Sequence, residues 1–203
     1  MQVQVIKRRI SPAQLKRRAK IINCARHMLA EQGGTISMEA VAEASGTSRS
    51  TLYRNFSSRE HLISEVTLDA GRRLIEQLRQ NPPPGKNVGE RVSALCHHIS
   101  SLASANTALI SACVYNMSSQ DPAVIDAQDD IEQMVTSFFT SVLGEQPFAD
   151  KPDLEKIIFR YLLGAFLLGT SDKLEFGRIA QELTELCQGL LGADWEKPVE
   201  PTA

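Results

Sequence analysis

Apolar residues recur at helical spacing through most of the chain. Leu15, Ala19, Ile22, Ala25 and Leu29 follow Ser11-Pro12, an N-cap with proline at the first helical position, and Gly33-Gly34 closes this first helix. Ser37 caps a short second helix, Met38 to Ala44, that turns Met38, Val41 and Ala42 inward before Ser45-Gly46-Thr47 breaks the pattern. Ser48 caps a third, running to about Asn55. Ser57, with Glu60 three residues later, gives a capping-box start to a fourth helix that reaches about Gln80. In Asn81-Pro82-Pro83-Pro84-Gly85 each proline lacks an amide donor and restricts its predecessor, so this stretch is a joint between two regions. Beyond it the pattern predicts helices near Val88 to Ser104, Thr107 to Ser118, Pro122 to Leu143, Pro152 to Thr170 and Leu174 to Leu191.

This gives an all-α fold with a basic N-terminal arm (residues 1–15), a three-helix helix-turn-helix domain (16–62), a connecting helix (63–80), a helical C-terminal domain (81–191) and a tail (192–203). The tail carries Pro198, Pro201 and several charges. It lacks the apolar surface to offset the cost of ordering it and is expected to be mobile. Only 12 glycines and nine prolines are too few for the turns of an all-β chain, and 42% apolar with 23% charged residues is a globular balance. The longest apolar run, Ile157 to Leu168, is interrupted by Arg160 and falls short of the roughly 20 residues a bilayer requires. The N-terminus lacks the pattern of a secretory signal, so no membrane partner and a cytoplasmic location are expected. Cys24, Cys96, Cys113 and Cys187 show no metal-ligand or redox spacing and read as reduced core thiols.

Charge sharpens the division. Residues 1–60 hold 11 Lys and Arg against four Glu, whereas residues 61–203 hold 11 basic against 20 acidic groups. A basic front on an acidic body suits a protein that presents one end to a polyanion. The second and third helices, joined by a three-residue turn containing glycine, follow the logic of a DNA-reading helix-turn-helix. With Leu52 as the inward anchor, Ser50 and Arg54 lie nearly opposite it and Thr51 and Tyr53 flank it. Together with Arg49 these side chains can bind base edges or phosphate, although a merely solvated polar face would read the same in isolation. Phe56, just past this helix, reads as a core plug. Lys7, Arg8, Arg9, Lys16, Arg17 and Arg18 form either a phosphate-reaching arm or a solvated one.

The segment from Arg17 to about Leu74 resembles the N-terminal domain of the tetracycline-repressor (TetR) family, most plainly in Met38-Glu39-Ala40-Val41-Ala42-Glu43-Ala44-Ser45-Gly46-Thr47-Ser48 and in Thr51-Leu52-Tyr53-Arg54-Asn55-Phe56-Ser57-Ser58-Arg59-Glu60-His61-Leu62. Beyond that segment the helices are similar only in number, length and order. The resemblance implies that Arg49, Ser50, Tyr53 and Arg54 contact DNA, that Ser37 touches phosphate, and that Arg59 occupies the place of a phosphate-binding lysine. Thr47 stands where the family usually has valine and Ser45 where it often has alanine, which implies looser packing at the turn.

A palindromic double-stranded operator demands two reading heads and therefore a homodimer. Apolar residues surround the axis of the helix containing Ile157 to Leu168, and Phe176, Ile179, Leu183, Leu186 and Leu190 stripe the next one. The pair resembles the family's four-helix dimer interface, with Phe159, Leu163, Phe166, Leu167, Ile179, Leu183, Leu186 and Leu190 as the expected contacts. The family encloses a ligand cavity between joint and interface. The resemblance thus implies a small apolar or amphipathic effector near Met117, Met134 and Phe138, with His97, His98 or Tyr115 as polar anchors. Cys96, His97 and His98 diverge by 100° per residue on a helix, so no metal site is expected. No cofactor or catalytic constellation emerges. The expected function is a ligand-responsive homodimeric repressor, with the fourth helix as the lever between effector and head. Its rivals are a DNA-binding dimer controlled by a protein partner and an enzyme using the C-terminal cavity.

Overall fold

The computed structural model describes residues 11–143 and 153–199, all but a few of which are helical or in short turns between helices. Four helices precede the proline-rich joint: α1 (Pro12–Gln32), α2 (Met38–Ser45), α3 (Arg49–Asn55) and α4 (Arg59–Gln80). Five follow it: α5 (Val88–Ala105), α6 (Thr107–Asn116), α7 (Pro122–Leu143), α8 (Leu154–Gly169) and α9 (Phe176–Leu191).

The helix starts follow local chemistry. Gln14 donates its backbone N–H to Ser11 Oγ at 3.3 Å, and Ser11 donates its own to Gln14 Oε1 at 2.8 Å, a reciprocal cap ahead of Pro12. Ser37 and Ser48 cap α2 and α3 as expected, accepting from Ala40 and Thr51. The cap of α4 is Ser58 rather than Ser57. Ser58 Oγ accepts from the His61 amide at 2.9 Å, while Ser57 donates its own amide to His61 Nδ1 at 3.1 Å. Histidine thus takes the place of the expected glutamate, and Glu60 turns instead to Arg59.

Two apolar clusters organise the chain. One joins Ile21, Ala25 and Leu29 of α1, Val41 of α2, Leu52 of α3, Phe56, and Leu62, Ile63 and Val66 of α4. It also takes in Leu109 and Ala112 of α6, which lie outside the expected head. The other packs α5 against α9 through Val92, Leu95, Cys96, Leu183 and Cys187, with Leu78, Phe138, Phe139, Ile158 and Leu162 closing it. Cys187 has its thiol pKa pushed far up by the neighbouring Cys96 thiol and by burial. All four cysteines are free.

Residues 192–199 correct the expectation of a mobile tail; 200–203 lie outside the described residues. After a 3-10 turn, Gly192–Glu196, the chain runs back along the start of α5: Val88 donates to Lys197 O at 2.9 Å, Asn87 and Pro198 form a bridge, and Trp195 lies against Gly89. The missing apolar surface is supplied by Trp195 and Val199, both packed on the body core. Among the described residues no helix is long and apolar enough to cross a membrane.

Candidate nucleic-acid interface and effector cavity

The α2–α3 turn depends on Gly46. At φ +63° it takes the left-handed conformation that ends α2, and it and Thr47 return their amides to Glu43 O and Ala42 O at 3.0 and 2.9 Å. Ser45, where alanine would pack, is 1% exposed and donates its hydroxyl to Ala42 O, so its polarity is satisfied within its own helix. Leu52 is then fully buried under α3, Thr51 is half-buried, and Arg49, Ser50, Tyr53 and Arg54 face outward, with Tyr53 47% exposed. The helical-wheel expectation is therefore the geometry observed. Ser48 Oγ also bonds Thr51 Oγ1 at 2.9 Å and lies 3.2 Å from Ser50 Oγ, which ties both hydroxyls to the helix start.

Two basic residues are placed differently from the DNA-facing arrangement the sequence suggested. Arg18 is inside the head, not on an arm. It donates to Asn55 O at 2.8 Å, pairs with Glu65 at 2.7 Å and stacks 4.4 Å from the Phe56 ring centroid. In this way it caps the C-terminal end of α3 and binds it to α4. Arg59 donates to Gly34 O at 2.8 Å and to Glu60 at 2.6 Å, lining a polar cleft of about 360 Å³ between the head and α6. Ser37 is exposed at the start of α2, and Lys16 and Arg17 are exposed on α1. Lys7, Arg8 and Arg9 lie outside the described residues.

His61 sits edge-on to Phe56 at 5.7 Å. Burial pushes its pKa below the ordinary 6.5; Glu65 and Asp121 oppose the shift, and Arg18 adds to it. The Ser57 amide also requires an unprotonated Nδ1. Because the unfolded chain protonates first, the stability His61 contributes is present above pH 6.5 and is lost as pH falls through the lower folded value. Urea unfolding of the head at pH 7.5 and 5.5 is expected to show a lower midpoint in acid, and His61→Gln is expected to flatten that difference.

A half-open apolar cavity of about 230 Å³ lies between α4, α6, α7 and α8. Thr67, Ala70, Gly71 and Leu74 form one wall, Ile110, Cys113, Val114 and Met117 a second, Ile131, Met134 and Val135 a third, and Phe159, Leu162, Leu163 and Phe166 the last. Burial pushes the Cys113 thiol up to about 11. Of the residues expected around an effector, Met117 and Met134 are brought together here. The others are elsewhere: Phe138 belongs to the α5–α9 core, Tyr115 is 55% exposed beside the polar cleft, and His97 lies in an open groove beside Trp195. His98 is half-buried on α5 and is not part of the cavity wall. The small residues Thr67, Ala70 and Gly71, at one-turn spacing on α4, are the sequence signal for a cavity wall, one that apolar periodicity does not register.

Several of the expected dimer contacts line this cavity or the core of the protomer. Phe159, Leu163 and Phe166 are half-buried and line it within the protomer, Leu183 is fully buried in the α5–α9 core, and Ile179 is fully buried beside Gly169. Leu186 and Leu190 are half-buried. On α8, Ile157, Leu167 and Leu168 are 40%, 38% and 43% exposed beside an open Gly164.

Residues 21–66 match the model of bacterial regulatory proteins of the tetR family. The matched segment spans the α1–α4 head core and its inward-anchored α3. That segment is similar to the DNA-binding domain of this family. The chain is 26% identical over 191 residues to the HTH-type transcriptional repressor KstR of Rhodococcus jostii, an alignment covering 93% of this chain and 89% of the relative. In fold it is similar to a TetR transcriptional regulator from Rhodococcus sp. RHA1 (TM-score 0.76, 19% identity, 89% of this chain and 97% of the other). It is also similar to FadR of Bacillus subtilis, solved in complex with stearoyl-CoA (TM-score 0.62, 14% identity, 86% and 97%). The matched domain is that of bacterial regulatory proteins, and the relative is a transcriptional repressor.

Proposed function

We propose that this regulator is a homodimeric repressor, acting in the cytoplasm, that sets two α3 helices into successive major grooves of a palindromic operator and is released when a small apolar or amphipathic effector enters the α4–α8 cavity. On this reading Arg49, Ser50, Thr51, Tyr53 and Arg54 meet the DNA, with Ser37 at a flanking phosphate. Arg59 joins them only by giving up its bond to Gly34 O.

The observation that carries the reading is the double duty of α4 and α6. On α6, Leu109 and Ala112 are packed into the head core, while Ile110, Cys113 and Val114, with Met117 just past the helix end, line the cavity that Leu109 also borders. On α4, Ile63 and Val66 belong to the head and Thr67, Gly71 and Leu74 to the cavity. Asn116, 7% exposed, fastens the two helices by donating to Glu60 O at 3.1 Å and Ser64 Oγ at 3.0 Å. A ligand that spreads these helices therefore tilts the head. It induces release only by binding the spread state more tightly, and a difference of about 1–3 kcal/mol suffices for useful control. The cavity's opening favours a small molecule over a protein partner, and the stearoyl-CoA held by the similarly folded FadR supports an amphipathic one.

On this reading the second copy meets the exposed α8 face of Ile157, Leu167 and Leu168, beside the Tyr161–Glu182–Arg178 chain that ties α8 to α9. Sedimentation at twice the 22.4 kDa chain mass is expected. Leu168→Glu puts a carboxylate into that contact and is expected to give monomers with at least about tenfold weaker operator binding. A variant that remains dimeric would place the interface elsewhere.

A further inference from the structure

The polar capacity of the cavity wall restricts what it can hold. Among the described residues the wall carries no charged side chain, and its helical backbone amides are committed to their own helices. Its polar side-chain groups are the Thr67 hydroxyl and the Cys113 thiol. The Thr67 hydroxyl donates to Ile63 O at 2.9 Å, one turn back on α4. With its hydrogen held by Ile63 O, the Thr67 oxygen keeps its accepting capacity on the cavity wall. The wall thus offers an acceptor and no free strong donor. A buried carboxylate or phosphate would meet neither a cation nor a donor, whereas a hydroxyl would meet an acceptor.

Size sets a second limit. A volume of about 230 Å³ takes roughly eight water-sized groups at ~30 Å³ each. Met134 helps set this depth: its thioether end lies so close to Gly71 that a Cβ there would displace it. Methionine is flexible enough to yield to ligands of slightly different shape.

We infer that the effector portion held between α4, α6, α7 and α8 is an uncharged aliphatic group of about eight carbons carrying at most one hydroxyl, which donates to Thr67 Oγ1. This rests on the effector reading of the cavity given above and specifies the ligand chemistry of that site.

Calorimetric titration of the full-length protein with 1-octanol, octanoate and 1-methoxyheptane tests it. These probes share a length but differ in charge and in donor capacity. Octanol is expected to bind about tenfold or more tightly than octanoate, because the carboxylate finds no partner. It is expected to bind several-fold more tightly than the ether, which has no hydrogen to give, and Thr67→Val is expected to abolish that second margin while leaving ether binding in place. Octanoate binding as tightly as octanol, or a Thr67→Val variant that keeps the alcohol preference, would overturn the inference and leave the cavity standing as the effector site. Ala70→Phe, which fills the cavity from α4, separates the two readings: octanol binding that this variant does not weaken, or no octanol binding at all, would overturn both.

Discussion

Phe56→Ala is expected to unfold the DNA-binding head while the C-terminal body stays folded and paired. The ring is fully buried among α1, α3 and α4, and truncating a buried phenylalanine costs about 3–5 kcal/mol. Two further contacts go with it, the Arg18 guanidinium stacked at 4.4 Å and the His61 ring edge at 5.7 Å. Arg18 would then hold the end of α3 against a void. A head this small buries a limited fraction of its surface and lies at the low end of the usual 5–15 kcal/mol of domain stability, so the loss is a large share of the total. The α5–α9 core shares no member with the head cluster and should survive. Thermal melting followed by circular dichroism is expected to split into an early head transition and a later body transition. Operator binding is expected to fall by more than about a hundredfold, and sedimentation still to report dimers. A single shifted transition would mean that α6, with Leu109 and Ala112 in the head, couples the two cores too strongly for them to melt apart.

Arg54→Ala is expected to remove operator affinity without touching the fold. Arg54 is exposed in the last turn of α3, opposite the buried Leu52, so truncation opens no cavity. If the guanidinium bridges a base edge, the loss is about 1–3 kcal/mol per half-site, concentrated on the cognate sequence, and specificity relaxes at one position. If it holds phosphate, binding weakens evenly across sequences and the salt slope falls by about one for each phosphate no longer neutralised. Tyr53→Phe removes only a hydroxyl and is expected to cost less. Fluorescence anisotropy on operator and scrambled duplexes at several salt concentrations reads all three effects. Wild-type affinity in both variants would remove α3 from the interface.

The outward face of α3 was legible in the sequence because it depends on local chemistry. Ser48, Gly46 and Leu52 fix the start, the preceding turn and the inward face of a short helix, and 100° per residue does the rest. The cap of α4 slipped by one because His61 offered Nδ1 where a glutamate carboxylate was expected. Tertiary partners decided what local pattern could not. Nothing in the spacing of Arg18 distinguishes a phosphate-seeking arginine from one that clamps Asn55 O and Glu65. A buried asparagine such as Asn116 breaks no periodicity, so its bond to Ser64 was unreadable. The apolar circumference of α8 announced that the helix is covered on several sides but not by what. Phe159 and Phe166 turned to the cavity, and Ile157 and Leu168 were left for the surface. The tail misled because its one large aromatic, Trp195, finds the start of α5 across more than a hundred residues of chain.

Whether paired α3 helices read DNA is decided by selecting bound duplexes from a random pool with the full-length protein and then titrating the winning sequence to stoichiometry. The expected winner is an inverted repeat whose half-site centres lie about one helical turn or a multiple of it apart, occupied by two protomers and lost to Arg54→Ala. Enrichment of a single unrepeated site filled by one protomer, or no enrichment at modest salt, would contradict a dimeric reader of this kind.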